Sequence, residues 1–420
     1  MLKRTGFADL PLHTGTVPRW LADRMMSLGA LIAESIIENY GRREFLVRLS
    51  DPLWFQSFGA VLGMDWHSSG ITTSVMYALK RGLNARSKEL GLYVCGGRGK
   101  YSRETPDELL RLADRTGLDG NALVRSSKLC AKVDNTAVQD GFQLYQHNFI
   151  VSTDGDWAVV QQGMNTEARA ARRYHWSSPN LRSFVEEPHT AIVGENRGQI
   201  LNLTAVKARD TRNSILEIAH ESPDRMLREI SQIVNPSHSI VVPAQCDLFV
   251  PAHPEQIILE TSRNCTMPAH HDVRAEDVDL KRLGAVLAAA YEIAPQNFEN
   301  LLLTPGLGPR TLQSLTLVSE VIYGTPSRFN DPARFSFAHG GKDGHPFPVP
   351  CRIYDESIRV LGDSIEKAKL GFTKKSECLK RLHSTQLSIE RNCEPIADFD
   401  KTIAHEKEHS REWGGRVAGE

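Results

Sequence analysis

The chain has 420 residues, a formal net charge of −1, 40% hydrophobic and 24% charged residues, enough for two or three domains of the usual ~100–200 residues. That balance excludes a disordered or fibrous design, and no apolar run reaches the ~18–20 residues of a membrane span. With a net charge near zero, contact with a polyanion has to come from a local arrangement of donors.

The start, MLKRTGFADLPLHTG, lacks the apolar core of a secretory signal, so a cytoplasmic protein is expected. Its seven scattered cysteines include no CxxC pair and support neither a disulfide framework nor a thiolate zinc site.

In chain order, apolar residues recur at helical spacing from Trp20 to Tyr40, and Gly41 ends that helix. A second helix is expected over Arg42 to Phe58 with a break at Asp51-Pro52, and a third after Ser68 to Gly70. Gly91 to Lys100 reads as a strand followed by a glycine-rich loop. Thr105-Pro106-Asp107-Glu108 then supplies a helix start with a capping threonine. Phe142 to Val151 and Trp157 to Gln161, around Thr153-Asp154-Gly155-Asp156, predict a β-hairpin. Beyond Ser183 the pattern runs strand, helix (Asp210 to Ala219), helix (Ser222 to Ile233) and strand (Ser239 to Val242), then loop through His270-His271. A helix follows over Asp279 to Ala290, and charged helices from Ile353 onward read as a solvated or oligomer-forming pair.

Phe298 to Tyr323 reads FENLLLTPGLGPRTLQSLTLVSEVIY, a short apolar helix, a turn with two glycines, and an amphipathic helix. Gly306 and Gly308 permit a tight turn and let amides of the next helix point at a phosphate. Leu307 is expected to plug between the helices, with Thr304, Arg310 and Thr311 beside the same phosphate. The segment resembles the helix-hairpin-helix motif of DNA repair and recombination proteins. In glycosylases that carry this motif, a catalytic aspartate follows the hairpin by about two dozen residues. Asp331 lies near that distance here, although Arg310 stands where bifunctional members carry lysine and Asp331 also suits a cap before Pro332.

Four other clusters carry chemistry. Asp65 and His67, beside Ser68 and Ser69, suit a metal or a phosphate, or else a helix-capping loop. Cys95 to Lys100, CGGRGK, has the glycines of an anion nest with Arg98 and Lys100 as charge, but not the Walker spacing. Asp140 opens a strand on which alternation puts Gln143, Tyr145 and His147 on one face, as in sites where metal-dependent nucleases gather hard oxygen ligands. Gln161-Gln162-Gly163 stands where a restriction-type site has an acid and a lysine, so an edge hairpin with polar residues in water competes. Glu167 to Trp176, EARAARRYHW, interleaves Arg172 and Arg173 with rings, as a backbone track does, or is a solvated helix face. His270-His271 with His253 form a weaker metal candidate.

Taken together, the opening from Arg4 to His13 and the runs DWHSSG, GGRGK, QDGFQLYQH, WAVVQQGMN, ARRYHW, TPGLGPRTLQSL and FAHGGKDGHPFPV resemble the Domain of Unknown Function 763 family of archaea and bacteria, over residues 1 to 350. The resemblance implies no established reaction.

The expected architecture is α+β: an N-terminal α/β domain with a β-hairpin over 1–250, a helical region with the helix-hairpin-helix over 251–350, and a charged helical tail over 351–420. The expected function is a DNA-binding protein that hydrolyses phosphodiesters with Mg2+ or Mn2+. Asp65, Asp140 and His147 would be metal ligands, His67 or His147 a ligand or base, and Lys100 a stabiliser of developing charge. The alternatives are a non-enzymatic DNA-binding or scaffold protein, and a helix-hairpin-helix DNA glycosylase using Asp331. DNA is the expected partner, with self-association through the C-terminal helices.

Overall fold

The computed structural model describes residues 10–11, 19–64, 70–234, 266–268, 274, 277–333 and 351–392. The fold is mixed α+β, built on a six-stranded antiparallel sheet. Its strands are β1 (Leu10–Pro11), β2 (Leu92–Arg98), β4 (Gln143–Ser152), β5 (Trp157–Asn165), β6 (Ala170–Ser177) and β7 (Ala191–Val193), in the order β1-β6-β5-β4-β2 with β7 also on β6. A smaller sheet joins β3 (Val138–Gln139), β8 (Gln199–Asn202) and β9 (Phe329–Asn330).

Helices cover both faces of the large sheet. On one side lie α1 (Arg19–Tyr40), α2 (Arg42–Ser50), α3 (Pro52–Leu62) and α4 (Gly70–Ala85), whose core takes in Val94, Ile150, Ala158 and Val160 from the strands. The Asp51-Pro52 break is real: the Asp51 carboxylate accepts from the Trp54 amide at 2.8 Å and Pro52 opens α3. α3, apolar but for Gln56 and Ser57, is buried along its whole length, as a helix packed on every side is. α4 also closes the free edge of β2, where Asn84 pairs with both backbone groups of Val94, removing a site for edge-to-edge pairing.

The C-terminal helices α14 (Cys351–Lys367) and α15 (Phe372–Asn392) join this same layer. Leu361, Ile365, Cys378 and Leu382 enter its core, so these apolar positions of the expected self-association helices are spent within the chain.

On the opposite face pack, after the short turns α5 (Ser87–Leu90) and α6 (Lys100–Arg103), the helices α7 (Thr105–Thr116), α8 (Gly120–Lys132), α9 (Arg209–His220), α10 (Pro223–Val234), α11 (Leu280–Ile293), α12 (Phe298–Leu302) and α13 (Pro309–Tyr323). Their core includes Phe149, Val151, Trp157, Val159 and Trp176 of the sheet together with Leu301, Leu307 and Leu312.

The predicted hairpin is β4–β5, turning through Gly155 at φ 88°. Two expectations change. The glycine-rich stretch after Gly91 is not a loop, because β2 runs through Gly96 and Gly97 to Arg98. At Gly96, with φ +83°, a Cβ would lie 2.2 Å from the His147 carbonyl oxygen, so only glycine allows that approach. The basic stretch expected as a solvated helix face or a track is instead strand β6, buried at every position. With both faces covered, its alternation carries no apolar–polar signal. The expected strand Ser239 to Val242, His253 and His270-His271 lie outside the described residues.

One buried ion cluster ties the two sheets together. Arg172 on β6 meets Asp140, just past β3, at 2.8 Å and Asp331, just past β9, at 2.8 and 3.0 Å. All three side chains are 0 or 1% exposed. Asp331 also accepts from the Arg197 and Ala333 amides at 2.8 and 3.0 Å, the second being the turn cap that its place before Pro332 suggested. Removing one member leaves a buried charge unmatched, at a cost of about 3–5 kcal/mol. Asp331→Ala is therefore expected to lower the unfolding free energy by that amount in urea denaturation; a loss below about 1 kcal/mol would remove the cluster from its place in the stability of the fold.

Candidate nucleic-acid interface

The two-glycine segment forms a turn between α12 and α13. Asn297 caps α12 by accepting from the Asn300 amide at 2.9 Å, and the chain reverses through Leu303 to Gly308, with Gly306 at φ +81°. Leu307 is fully buried between the helices, as expected of the plug. The turn is gripped from beneath: Lys132 at the end of α8 donates to the Leu307 carbonyl at 2.5 Å, and Gln139 donates to the Pro309 carbonyl at 2.8 Å. Thr304 and Thr311 are buried at 1 and 3% exposure, whereas Arg310 is exposed.

The outer side of the turn gathers hydrogen-bond donors. Gly308 has no side chain to cap α13, and no other described side chain does so, which leaves the first-turn amides without an internal acceptor. A shallow pocket of about 240 Å3 opens there, lined among others by Arg282, Arg310, Thr311 and Ser314. Gly308 approaches Arg282 so closely that a Cβ would sit 3.4 Å from its guanidinium. Among the described residues neither Arg282 nor Arg310 is in an ion pair, and the buried Thr311 hydroxyl has no hydrogen-bond partner. The pocket also holds Asp277 and Asp279, the latter engaged as the cap of α11 on the Arg282 amide at 3.0 Å.

The expected nuclease residues are not gathered in one cleft. Lys100 is exposed at the end of β2, its ammonium 5.2 Å from the Tyr101 ring centre, and Arg98, also exposed, lies over the Tyr145 ring at 5.8 Å. The glycines just before Arg98 hold an internal anion: the Gly96 amide donates to the Glu108 carboxylate at 2.7 Å, and Lys80 bridges Glu108 to the Gly96 carbonyl.

Asp140 accepts from Arg172, from the Tyr174 hydroxyl at 2.7 Å and from the Phe142 amide at 3.0 Å, so neither oxygen is offered to a metal. Burial raises its pKa against the pull of Arg172. Asp331, the expected glycosylase acid, is held in that same cluster. Asp65 and His67 lie outside the described residues. Among the described residues no three His, Cys, Asp or Glu side chains are grouped to hold a metal ion.

His147 lies in a second buried network. Its Nδ1 faces the Gln161 amide oxygen at 2.7 Å, and its Nε2 faces the Ser127 hydroxyl at 2.8 Å. Gln161 donates in turn to Asp134 at 2.5 Å, and Asp134 also accepts from Trp176 at 3.0 Å and bonds His189. Since the Gln161 oxygen can only accept, Nδ1 carries the proton and Nε2 accepts from Ser127. That is the order of a nucleophile and its base. Ser127 is 3% exposed, however, and the network satisfies its own donors, as a structural one does. Burial lowers the His147 pKa, which favours the neutral ring.

Arg172 and Arg173, expected on a DNA track, are both wholly buried and cannot touch a polymer. Adjacent strand residues point to opposite faces, so Arg172 enters the ion cluster and Arg173 the opposite layer. Arg282 was missed by sequence reasoning, since it lies on the helix preceding the hairpin and only packing brings it to Gly308. Asp134 sits in a π-helical turn, Val133–Ala137, for which the sequence carries no evident signal.

Lys132 has a titration consequence. Burial, aided by the nearby Arg282 and Lys128, lowers its pKa from 10.5 to about 8. The unfolded chain therefore holds more protons than the folded one between those values, and stability rises with pH across that window. Relative to Lys132→Met, the wild type is expected to gain stability from about pH 8 to pH 10.5 and to show no differential change below pH 8, read by urea denaturation at each pH.

A family model described as protein of unknown function (DUF763) matches residues 6–349. Comparison with curated proteins and with solved structures finds no match. The matched span holds the large sheet, the buried networks and the α12–α13 turn, and the chain belongs to the DUF763 family.

Proposed function

We propose that the protein binds the phosphate backbone of DNA at the α12–α13 turn, acting as a helix-hairpin-helix. The observation that carries this is the pair of arginines without carboxylate partners among the described residues, Arg282 and Arg310, beside the uncapped start of α13 and the unpartnered Thr311 hydroxyl. A helix N-terminus with two guanidinium groups is suited to a phosphate. Such contacts position a polymer without reading its sequence, and in a chain of net charge −1 they have to act through this local arrangement of donors. No described helix is long and apolar enough to cross a membrane. Metal-dependent cleavage and base excision, expected from sequence, gain no specific support from the places of Asp140, His147 and Asp331.

The test is anisotropy of labelled duplex DNA across a salt series. Arg282→Ala/Arg310→Ala is expected to weaken binding about tenfold or more and to lower the slope of log affinity against log salt by about 1 for each phosphate that is no longer neutralised. Unchanged affinity in the double variant, or tight binding confined to RNA, would overturn the proposal. Incubation of the same duplex with Mg2+ or Mn2+ reads cleavage separately: a cut strand would restore the nuclease reading, and binding with an intact strand supports a binding protein.

A further inference from the structure

Where β2 ends, the chain reads Arg98-Gly99-Lys100-Tyr101-Ser102-Arg103, three cations in six residues with no acid among them. Arg98, Lys100, Tyr101 and Arg103 are exposed, and none of the three cations is in an ion pair among the described residues. Glu108, the carboxylate that reaches this end of β2, is spent on Lys80 and the Gly96 amide. Rings are interleaved with the charges. Lys100 Nζ lies 5.2 Å from the centre of the Tyr101 ring, the Arg98 guanidinium 5.8 Å from that of Tyr145, and the Arg81 guanidinium, on α4, 5.7 Å from that of Tyr77. Tyr77 and Tyr101 are 54 and 50% exposed. Arg81 also donates to the Tyr77 hydroxyl at 2.9 Å, and Asp23 on α1 acts on it only through its field.

Each ring is brought to this place by a local feature of the fold. α4 runs along β2 with Asn84 at Val94 and Lys80 at Gly96. Tyr77 shares that helix face, at i, i+3 and i+7 with Lys80 and Asn84, so it stands level with Arg98, where the strand stops. Tyr101 sits over Gly97, where an added Cβ would come within 3.1 Å of the tyrosine Cβ; the glycine makes the seat for the ring. Tyr145 falls where the β4–β5 register shifts between Leu144 and Gln146. A bulge of this kind re-aims a side chain, and here the ring meets Arg98 while the Gln162 amide holds its hydroxyl.

We propose that this surface binds single-stranded DNA, with bases stacked on Tyr77 and Tyr101 and phosphates beside Arg81, Arg98 and Lys100. Half-exposed rings alternating with unpaired cations match a polymer that alternates flat bases with phosphates. A duplex does not fit as well, because its bases are stacked on one another and keep their faces covered. The choice of DNA rests on the reading of the protein as DNA-binding, but the surface shares no residue with the α12–α13 turn.

Anisotropy of a labelled oligothymidylate, which has no duplex form of its own, is measured with the full chain across a salt series. The wild type is expected to bind it saturably. Tyr77→Ala/Tyr101→Ala is expected to weaken that binding about tenfold or more at an unchanged salt slope, and Tyr77→Phe/Tyr101→Phe to keep it, since the ring does the stacking. Arg98→Ala/Lys100→Ala is expected to lower the slope of log affinity against log salt by about 0.7 for each phosphate no longer neutralised. Duplex affinity is expected to survive in Tyr77→Ala/Tyr101→Ala, and single-strand affinity in Arg282→Ala/Arg310→Ala, so failure at the hairpin and failure here are told apart. A wild type that does not bind the single strand, unchanged affinity in Tyr77→Ala/Tyr101→Ala, an equal loss on duplex in that variant, or a loss found only in the hairpin variant sinks the proposal.

Discussion

The antiparallel sheet of β2, β4, β5 and β6 is covered by helices on both faces, and every strong polar group on it has to be satisfied inside the protein or left as a charge under tension. Strand alternation sends Arg172 to one interior and Arg173 to the other. On the first side two carboxylates, from segments distant in sequence, close on Arg172. On the second no described carboxylate arrives. Low polarisability makes the first arrangement a clamp and the second a source of positive potential.

The clamp bears on the hairpin region as well. Asp140 and Asp331 follow the short strands β3 and β9, and β3 also carries Gln139, which holds the Pro309 carbonyl. With Lys132 on the Leu307 carbonyl, the inner side of the turn is anchored to the same end of the sheet that Arg172 locks. α13 is buried from Pro309 to Ser319 apart from Arg310, so it turns outward at Arg310, beside the guanidinium of Arg282, and again at its last residues, Val321 to Tyr323. A rigid support below and unpaired donors above favour a preorganised phosphate contact, since little ordering remains to be done on binding.

Much of the fold was legible. α1, the Asp51-Pro52 break, the β4–β5 hairpin, α9, α10 and the turn before α13 follow from helical spacing, proline, aspartate caps and an Asp-Gly turn, all of them local signals. The candidate site was legible in part. Gly306, Leu307, Gly308 and Arg310 were found, but Arg282 was not, because it reaches Gly308 from α11. The nuclease residues misled for a related reason. Asp140 and His147 look available when judged by residue type, yet their partners Arg172, Asp331, Ser127 and Gln161 come from other elements. EARAARRYHW looked like a solvated basic surface because a strand buried on both faces has no apolar–polar period to betray it.

By itself the chain determined where the backbone must turn, stop or pair: proline removes a donor, glycine admits left-handed φ, and spacing sets helix against strand. Only the tertiary structure decided which charges are matched. Coulomb energy and desolvation depend on distance and burial, and residues separated by 159 positions, such as Arg172 and Asp331, meet at 2.8 Å through packing alone. The charge state and use of each arginine are therefore properties of the folded molecule.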